Sequence, residues 1–363
     1  IDGDPAPEIV TCASGGGACF SSPPTGQLIA FEGDGRFKWL SSDSRIVCGE
    51  GTGPALADLD RDGVPEILVR YAAVNADGTV RWVAPGRSYA TFDAIGADYV
   101  TAADMNGDGF LDMVAGNAAW NGLDGAVLFE SAAAEDGYPA VADLDGDGAP
   151  EVISVNRDTG RMFAIHAGGT LLWGPVDVNV GHPGALGQWG GGPPTVADFD
   201  GDGRPDVGVA GGYGYLVARG IDGALIWTAD TQDLSSRSTG SSVFDFEGDG
   251  AAEVIYNDET TLRIYGGSDG RVLYSLCNST WTLWEYPLIV DVDADDHAEI
   301  VVVSNYGPGC SSGGSSPGIR VIGDRSNHWV RTRRIWNEHA YHVTNVGDDG
   351  AVPRDEIANW TAP

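Results

Sequence analysis

One acidic phrase recurs along the chain and limits what it can fold into more than any other feature. It reads DLDRDGVPE at 58–66, DMNGDGFLD at 104–112, DLDGDGAPE at 143–151, DFDGDGRPD at 198–206, DFEGDGAAE at 245–253 and DVDADDHAE at 291–299. A copy lacking its start, IDGDPAPE, opens the chain. The ninth-position acids lie 39 to 58 residues apart. A repeated unit of about 40 to 50 residues is the period of a propeller blade.

The flanks of each phrase read as strands. PALAD precedes and EILVRY follows the second copy; LIVDV precedes and EIVVVSN follows the last. Such short β-branched runs beside Asp/Gly clusters favour strands. A hairpin then follows in every unit, as in VNADGTVRWV and RGIDGALIWT, and its Asp-Gly or Gly-Gly turn supplies the positive φ that tight hairpins need. Four residues past the turn glycine stands an aromatic: Trp39, Trp82, Phe129, Trp173, Trp227 and Tyr274. Packing between neighbouring units is its simplest role. The seventh unit keeps Trp329 but loses the glycine. The expected fold is all-β: a seven-bladed β-propeller of four-stranded antiparallel blades, a single domain over 1–363. Its blades fall near 1–50, 51–96, 97–136, 137–190, 191–239, 240–285 and 286–332, and 333–363 is a C-terminal closing segment. The first unit lacks its first strand, so either residues before Ile1 supply it or AYHVTNV at 340–346 returns to complete that blade.

Carboxylates at alternate positions in D-x-D-x-D-G can curl around a cation where the chain turns at the glycine, and several flexible oxygen ligands suit Ca²⁺ better than Mg²⁺. Turn preference of Asp and Gly explains one such loop but not six nearly complete copies with acids at four fixed offsets. The expected ligands are Asp2, Asp4 and Glu8; Asp58, Asp60, Asp62 and Glu66; Asp104, Asn106, Asp108 and Asp112; Asp143, Asp145, Asp147 and Glu151; Asp198, Asp200, Asp202 and Asp206; Asp245, Glu247, Asp249 and Glu253; and Asp291, Asp293, Asp295 and Glu299. The backbone carbonyl at position seven is a further expected donor. Up to seven calcium ions are implied. Asp296 replaces the glycine of the last loop, and Pro5, with its φ fixed negative, makes the first site the weakest.

These phrases resemble the FG-GAP or VCBS repeats of integrin α-subunit propellers and of secreted bacterial proteins. The D-x-D-G-D-G-x-P-E loops carry the resemblance across essentially the whole chain, although the literal FG and GAP signatures are mostly missing. The resemblance implies a seven-bladed propeller with calcium in the loops between first and second strands, on an extracellular adhesion or binding protein. The tail RRIWNEHAYHVTNV is similar to segments that end such propellers in large secreted bacterial proteins.

Asp plus Glu number 53 against 20 Lys plus Arg, a net charge of −33. Repulsion from phosphates argues against a nucleic-acid partner. No run approaches the length of a membrane-spanning helix, so membrane insertion is not expected. Five cysteines, Cys12, Cys19, Cys48, Cys277 and Cys310, form no CxxC pair. The Gly, Ser and Pro-rich settings of Cys12, Cys19 and Cys310 favour disulfides and a secreted or cell-surface location. Strand order puts all five on the face opposite the acidic loops. Cys277 with Cys310, and Cys12 with Cys19 or Cys48, are the expected pairs.

That opposite face also carries the long insertions, where binding usually resides on a rigid scaffold. Trp189, Tyr213, Trp281, Trp284 and Tyr306 are the ligand-binding candidates, able to stack on sugars or anchor a protein. His339 and His342 are not spaced as HExxH and read as structural. No nucleophile elbow, phosphate loop or dinucleotide fingerprint is present, and no catalytic residue is assigned. The expectation is a calcium-stabilised module binding a glycan or protein, as part of a larger surface or secreted protein. Two alternatives stand beside it: a subunit of an extracellular filament or surface layer, or an enzyme on the same fold of polysaccharide lyase or quinoprotein type.

Overall fold

A computed structural model describes residues 1–3, 6–13, 27–41, 43, 46, 53–85, 99–182, 190–309 and 316–362. Within them the chain forms seven antiparallel sheets that follow one another in sequence. The first holds β1 (Glu8–Ala13), β2 (Gln27–Glu32) and β3 (Phe37–Leu40); the second β4 (Ala55–Ala57), β5 (Glu66–Val69), β6 (Ala72–Val74) and β7 (Val80–Val83). The third holds β8 (Thr101–Ala103), β9 (Asp112–Ala115), β10 (Ala118–Trp120) and β11 (Val127–Glu130); the fourth β12 (Tyr138–Ala142), β13 (Glu151–Val155), β14 (Arg161–His166) and β15 (Leu171–Asp177). The fifth is β16 (Thr195–Ala197), β17 (Asp206–Ala210), β18 (Gly214–Arg219) and β19 (Leu225–Asp230). The sixth is β20 (Ser241–Phe244), β21 (Glu253–Asn257), β22 (Thr261–Tyr265) and β23 (Val272–Cys277), and the seventh β24 (Leu288–Val290), β25 (Glu299–Ser304) and β26 (Gly318–Gly323). These sheets resemble propeller blades.

Apolar residues on the second and third strands explain how the sheets stack. Strands β5, β9, β13, β17 and β21 are buried along their whole length. Burial on both faces calls for continuous apolar runs rather than alternation. Each core cluster straddles two consecutive sheets: Leu28 and Ile46 meet Ile67 and Val69, Trp82 meets Met113 and Trp120, and Phe246 meets Ile289 and Ile300. The first strands β4, β8, β12, β16, β20 and β24 pack against one another in that order. Residues of five of them line one cavity of about 1030 Å³.

The outer-strand tryptophan joins four of the sheets to the next, whereas Tyr274 of the sixth, expected to pack the same way, is exposed. The indole Nε1 of Trp39 donates to the Ala76 carbonyl at 2.8 Å, Trp82 to Gly122 at 2.7 Å and Trp173 to Gly220 at 2.6 Å; Trp227 does the same to Gly267. Every acceptor lies in the hairpin turn of the following sheet. The turn glycine sits under the ring, so a Cβ on Gly125 would lie 2.7 Å from Trp82 and one on Gly223 2.9 Å from Trp173. These glycines also have positive φ, 72° and 69°. Only glycine satisfies both demands.

Two sequence expectations are corrected. The seventh sheet has three strands, because the segment after β26 leaves it: Val330 N–H donates to the Phe246 carbonyl at 2.9 Å and the Val330 carbonyl accepts from Ala298 N–H at 3.2 Å. Trp329 still packs on Phe246, ring centroids 4.4 Å apart, so the aromatic persists where the strand does not. Residues 340–346 form no strand, and the first sheet has three strands. The tail instead makes single bonds to separate sheets. Glu338 accepts from Leu56 N–H on β4 at 2.7 Å, and the Arg333 carbonyl accepts from Asp291 N–H just past β24 at 3.0 Å. The His339 ring stacks on Tyr99 at 3.8 Å, beside Gly53, where a Cβ would lie 2.6 Å from Tyr99.

If the indoles couple the sheets, Trp173→Ala will lower the unfolding free energy by about 3–5 kcal/mol, the usual cost of truncating a buried large aromatic. Trp173→Phe will cost about 1–2 kcal/mol through the unpaired Gly220 carbonyl. Urea denaturation in saturating calcium measures both, and equal losses for the two variants would contradict a role for the indole bond.

Candidate functional site

Each of the six full acidic loops begins where a first strand ends and closes at the first residue of the second strand. The first-position Asp gathers the loop around its carboxylate. Asp143 accepts from Gly146 N–H at 2.7 Å and Gly148 N–H at 3.0 Å; Asp198 accepts from Gly201 at 2.8 Å, Asp202 at 3.1 Å and Gly203 at 2.7 Å. The third-position side chain accepts from the fifth-position N–H, at 2.8 Å for Asn106 and 3.1 Å for Asp145. The fifth accepts from the seventh, at 2.8 Å for Asp62 and 3.0 Å for Asp295. This folding needs left-handed φ at position six: 91° at Gly148, and 67° at Asp296, the residue expected to tolerate it.

The ninth-position acid latches the loop. One oxygen accepts from the second-position N–H at 2.9 Å in Glu66, Glu151 and Glu299, at 3.0 Å in Asp112 and Glu253, and at 3.4 Å in Asp206. These residues open their strands and are buried except for the partly covered Glu299. Burial, reinforced by the neighbouring acids, pushes Glu66, Asp112 and Asp206 up to about 7 and Glu253 to about 8. Burial likewise raises Glu151 and Glu299. A loop that concentrates carboxylates under cover is short of positive charge.

Carboxylate oxygens of several loops are gathered closely enough to hold a divalent ion. Oxygens of Asp58, Asp60 and Asp62 lie within 4.8 Å of one another, as do those of Asp143, Asp145 and Asp147 and those of Asp198, Asp200 and Asp206. These all-oxygen sets can chelate a hard divalent cation. Asp2 and Glu8 cluster with Glu32, and Asp145 and Glu151 with His166. Asp4 and Pro5 lie outside the described residues. Glu32 and His166 are members of these candidate groups that the loop motif did not reveal. They stand directly across the ladder from the ninth-position acids, Glu8↔Glu32 and Glu151↔His166, so strand register was the signal that could have found them. Lys38 and Arg81 also escaped notice. The Lys38 ammonium reaches Asp2 at 2.6 Å, Glu32 at 3.1 Å and Glu8 at 3.5 Å; Arg81 reaches Asp60 at 2.6 Å and Glu66 at 2.9 Å.

At the other end of the sheets, two loops are stitched together. Asn305 N–H donates to the Ser279 carbonyl at 2.9 Å, and Trp281 N–H to the Asn305 side chain at 2.8 Å. On these loops Trp281 is 58% and Tyr306 83% exposed. Trp284 is half-buried: its indole donates to the Tyr138 hydroxyl at 3.0 Å, and Arg157 lies over its ring at 5.5 Å. Tyr213 is half-buried too, its carbonyl accepting from Thr231 N–H at 2.9 Å. Trp189 lies outside the described residues, as do Cys19, Cys48 and Cys310. Cys12 and Cys277 are half-cystines.

Against this geometry, the comparisons with known proteins are consistent on fold. A family model described as an FG-GAP-like repeat matches residues 1–69 and 143–209. No curated protein is a significant match. Among solved structures, the V. cholerae biofilm matrix protein Bap1 is similar with a TM-score of 0.78 and 19% identity, over 99% of this chain and 82% of that one. The rhamnogalacturonan lyases YesX and YesW are similar with TM-scores of 0.51 and 0.52 and identities of 18% and 19%. The match covers 84% and 82% of this chain but only 53% and 52% of theirs, so this chain spans about half the length of those lyases. At such identities the likeness is one of fold. Among the described residues no helix is long and apolar enough to cross a membrane.

The tail histidines give the fold a pH signature. Burial lowers His339 from 6.5 to about 4, so the folded state resists its protonation while the unfolded chain accepts it. Its contribution is complete above pH 6.5 and is lost as pH falls toward 4. Glu338, pushed up to about 7 by burial, works in the opposite sense, its neutral form favouring the fold as pH drops from 7 toward 4.5. His339→Gln will therefore flatten the loss of stability between pH 6.5 and 4 in calcium-saturated melts; an unchanged slope would show that this histidine is not buried as a neutral ring.

Proposed function

We propose that the chain is a calcium-stabilised seven-bladed β-propeller that acts outside the cell as an adhesion or ligand-binding module, with calcium held in the loops between first and second strands. The observation that carries this reading is the similarity to the biofilm matrix protein Bap1 over 99% of the chain, joined to acidic loops that repeat once per sheet. The donors that would hold each ion are the first, third, fifth and ninth side chains of a loop, with the seventh carbonyl as the expected backbone ligand. Bound calcium supplies the positive charge these clusters lack, and it stabilises the folded state by binding only where the loop is formed.

The ligand-binding face in this reading is the one opposite the acidic loops. Trp281 and Tyr306 favour it, because two exposed aromatics on loops braced by backbone bonds form a preorganised surface for stacking on a sugar ring or anchoring a protein. Disulfides between Cys277 and Cys310, and between Cys12 and Cys19 or Cys48, would brace that face in an oxidising environment. Mass mapping of the oxidised chain checks these pairs. A second reading, a polysaccharide lyase, is favoured by the fold shared with YesX and YesW, and turnover of acidic polysaccharides would promote it over the first.

Two measurements test the leading reading. Excess EGTA is expected to lower the melting temperature by roughly 10 °C or more, since loss of several ligands at a few kcal/mol each is large against the stability of one domain; an unchanged melting curve would sink the calcium assignment. On a glycan and surface-protein array with calcium present, Trp281→Ala with Tyr306→Ala should abolish the signal while leaving the calcium-dependent melt intact.

A further inference from the structure

The seven acidic loops are alike in sequence but not in what sits beside them. In the outer strand, the residue before the interlocking aromatic is Lys38 in the first sheet and Arg81 in the second. The same register position holds Leu128, Leu172, Ile226 and Leu273 in the next four. Lys38 and Arg81 are the two exceptions, and both reach back into their own sheet's acidic cluster. Arg81 spans two loop positions with its fork, one nitrogen on Asp60 of position three and the other on Glu66 of position nine. Lys38 touches Asp2 of position three, Glu8 of position nine and Glu32 opposite it.

Burial decides which of these cations matter. The side chains of Lys38 and Arg81 are 14% and 21% exposed, and the ninth-position partners Glu8 and Glu66 only 1% and 5%. Arg334 also touches an acidic loop, at Asp291, but its side chain is 58% exposed and water screens the pair. Among the described residues, the loops at 104–112, 198–206 and 245–253 make no ion pair with Lys or Arg. A divalent ion entering the first or second loop must approach a fixed positive charge already bound to the same oxygens. In the fifth and sixth it meets none, and at the third the Arg61 guanidinium lies over the Phe110 ring at 5.3 Å without pairing to a loop carboxylate.

We propose that Arg81 is a built-in counter-ion that holds the second acidic loop closed without metal, so that calcium fills the loops lacking such a side chain first and most tightly. This rests on the calcium reading given above. The chain then carries one metal-independent loop, in the second sheet, beside sheets whose loops depend on calcium.

The test counts calcium. Equilibrium dialysis with radioactive calcium on the whole chain gives the number of tightly bound ions for the wild type, for Arg81→Leu, which installs the residue found in the third and fourth sheets, and for the reciprocal Leu128→Arg. Arg81→Leu is expected to gain one tight equivalent, its second loop binding about tenfold or more tighter once a bound positive charge is removed, and to melt earlier than wild type in EGTA. Leu128→Arg should lose one equivalent. A count for Arg81→Leu equal to wild type, in a chain with an unchanged circular dichroism spectrum, overturns the proposal; if that variant folds only in calcium, the proposal is supported. Should Arg81→Leu not fold under either condition, Leu128→Arg decides, and a count equal to wild type overturns the proposal. A wild type that binds no calcium at all would sink the calcium reading itself.

Discussion

The carboxylate at the ninth loop position has two oxygens with two different duties, and the architecture depends on keeping them separate. One accepts the second-position amide and thereby closes the turn between first and second strands, a bond present in all six described full copies. The other has a second duty that varies with the sheet: Glu66 Oε1 meets Arg81, Glu151 Oε1 meets His166 and Glu8 Oε1 meets Lys38, while Asp112 Oδ1 accepts from Gly122 N–H in the hairpin turn. An apolar residue in that place would leave a covered amide unpaired, at a cost of about 1–3 kcal/mol per sheet. The acid is therefore needed for the fold before any ion arrives, and its second oxygen brings with it a demand for positive charge.

Coupling between sheets uses a different currency. Indole-to-turn hydrogen bonds and the shared core clusters connect each sheet only to its neighbours in sequence. Stability in such a chain is close to a sum of unit terms and nearest-neighbour terms. The two chemistries meet in one hairpin, because the turn that receives the indole lies at the same end of the sheet as the acidic loop. Tightening an acidic loop therefore steadies the surface on which the preceding sheet docks.

Much of this was legible in the residues. The loops, the hairpins with their glycines and the docking aromatics recur at fixed offsets, and offsets are what a sequence displays. Partners far apart in the chain were not. Lys38 and Arg81 reach their loops across an intervening strand, and Glu32 and His166 face theirs through ladder register; none belongs to a repeated motif. The missing outer strand of the seventh sheet was hidden for a related reason. Trp329 kept the repeat's aromatic, and only the loss of the turn glycine marked that the hairpin would not close, leaving Val330 to bond with Phe246 and Ala298 instead of β26. The tail misled more fully: AYHVTNV has the apolar and β-branched character of a strand, yet Tyr341 stacks on Trp336 while His342, Thr344 and Asn345 bond to the carboxylates of Glu356 and Glu338.

That tail acts where nearest-neighbour coupling runs out. The core clusters join consecutive sheets from the first to the seventh, and among the described residues none joins the seventh back to the first. A linear run of units frays from its ends, since each terminal unit has one neighbour instead of two. Residues 333–361 bond to the middle of β4 and to Asp291 just past β24, place Ala340 against the cluster of the second and third sheets, and wedge Trp360 against two clusters that share the fourth sheet. Contacts so widely separated in sequence cannot form until most sheets are in place. The tail thus ties the second sheet to the seventh through a common segment, and its partly covered Glu338 and His339 report whether that tie is made.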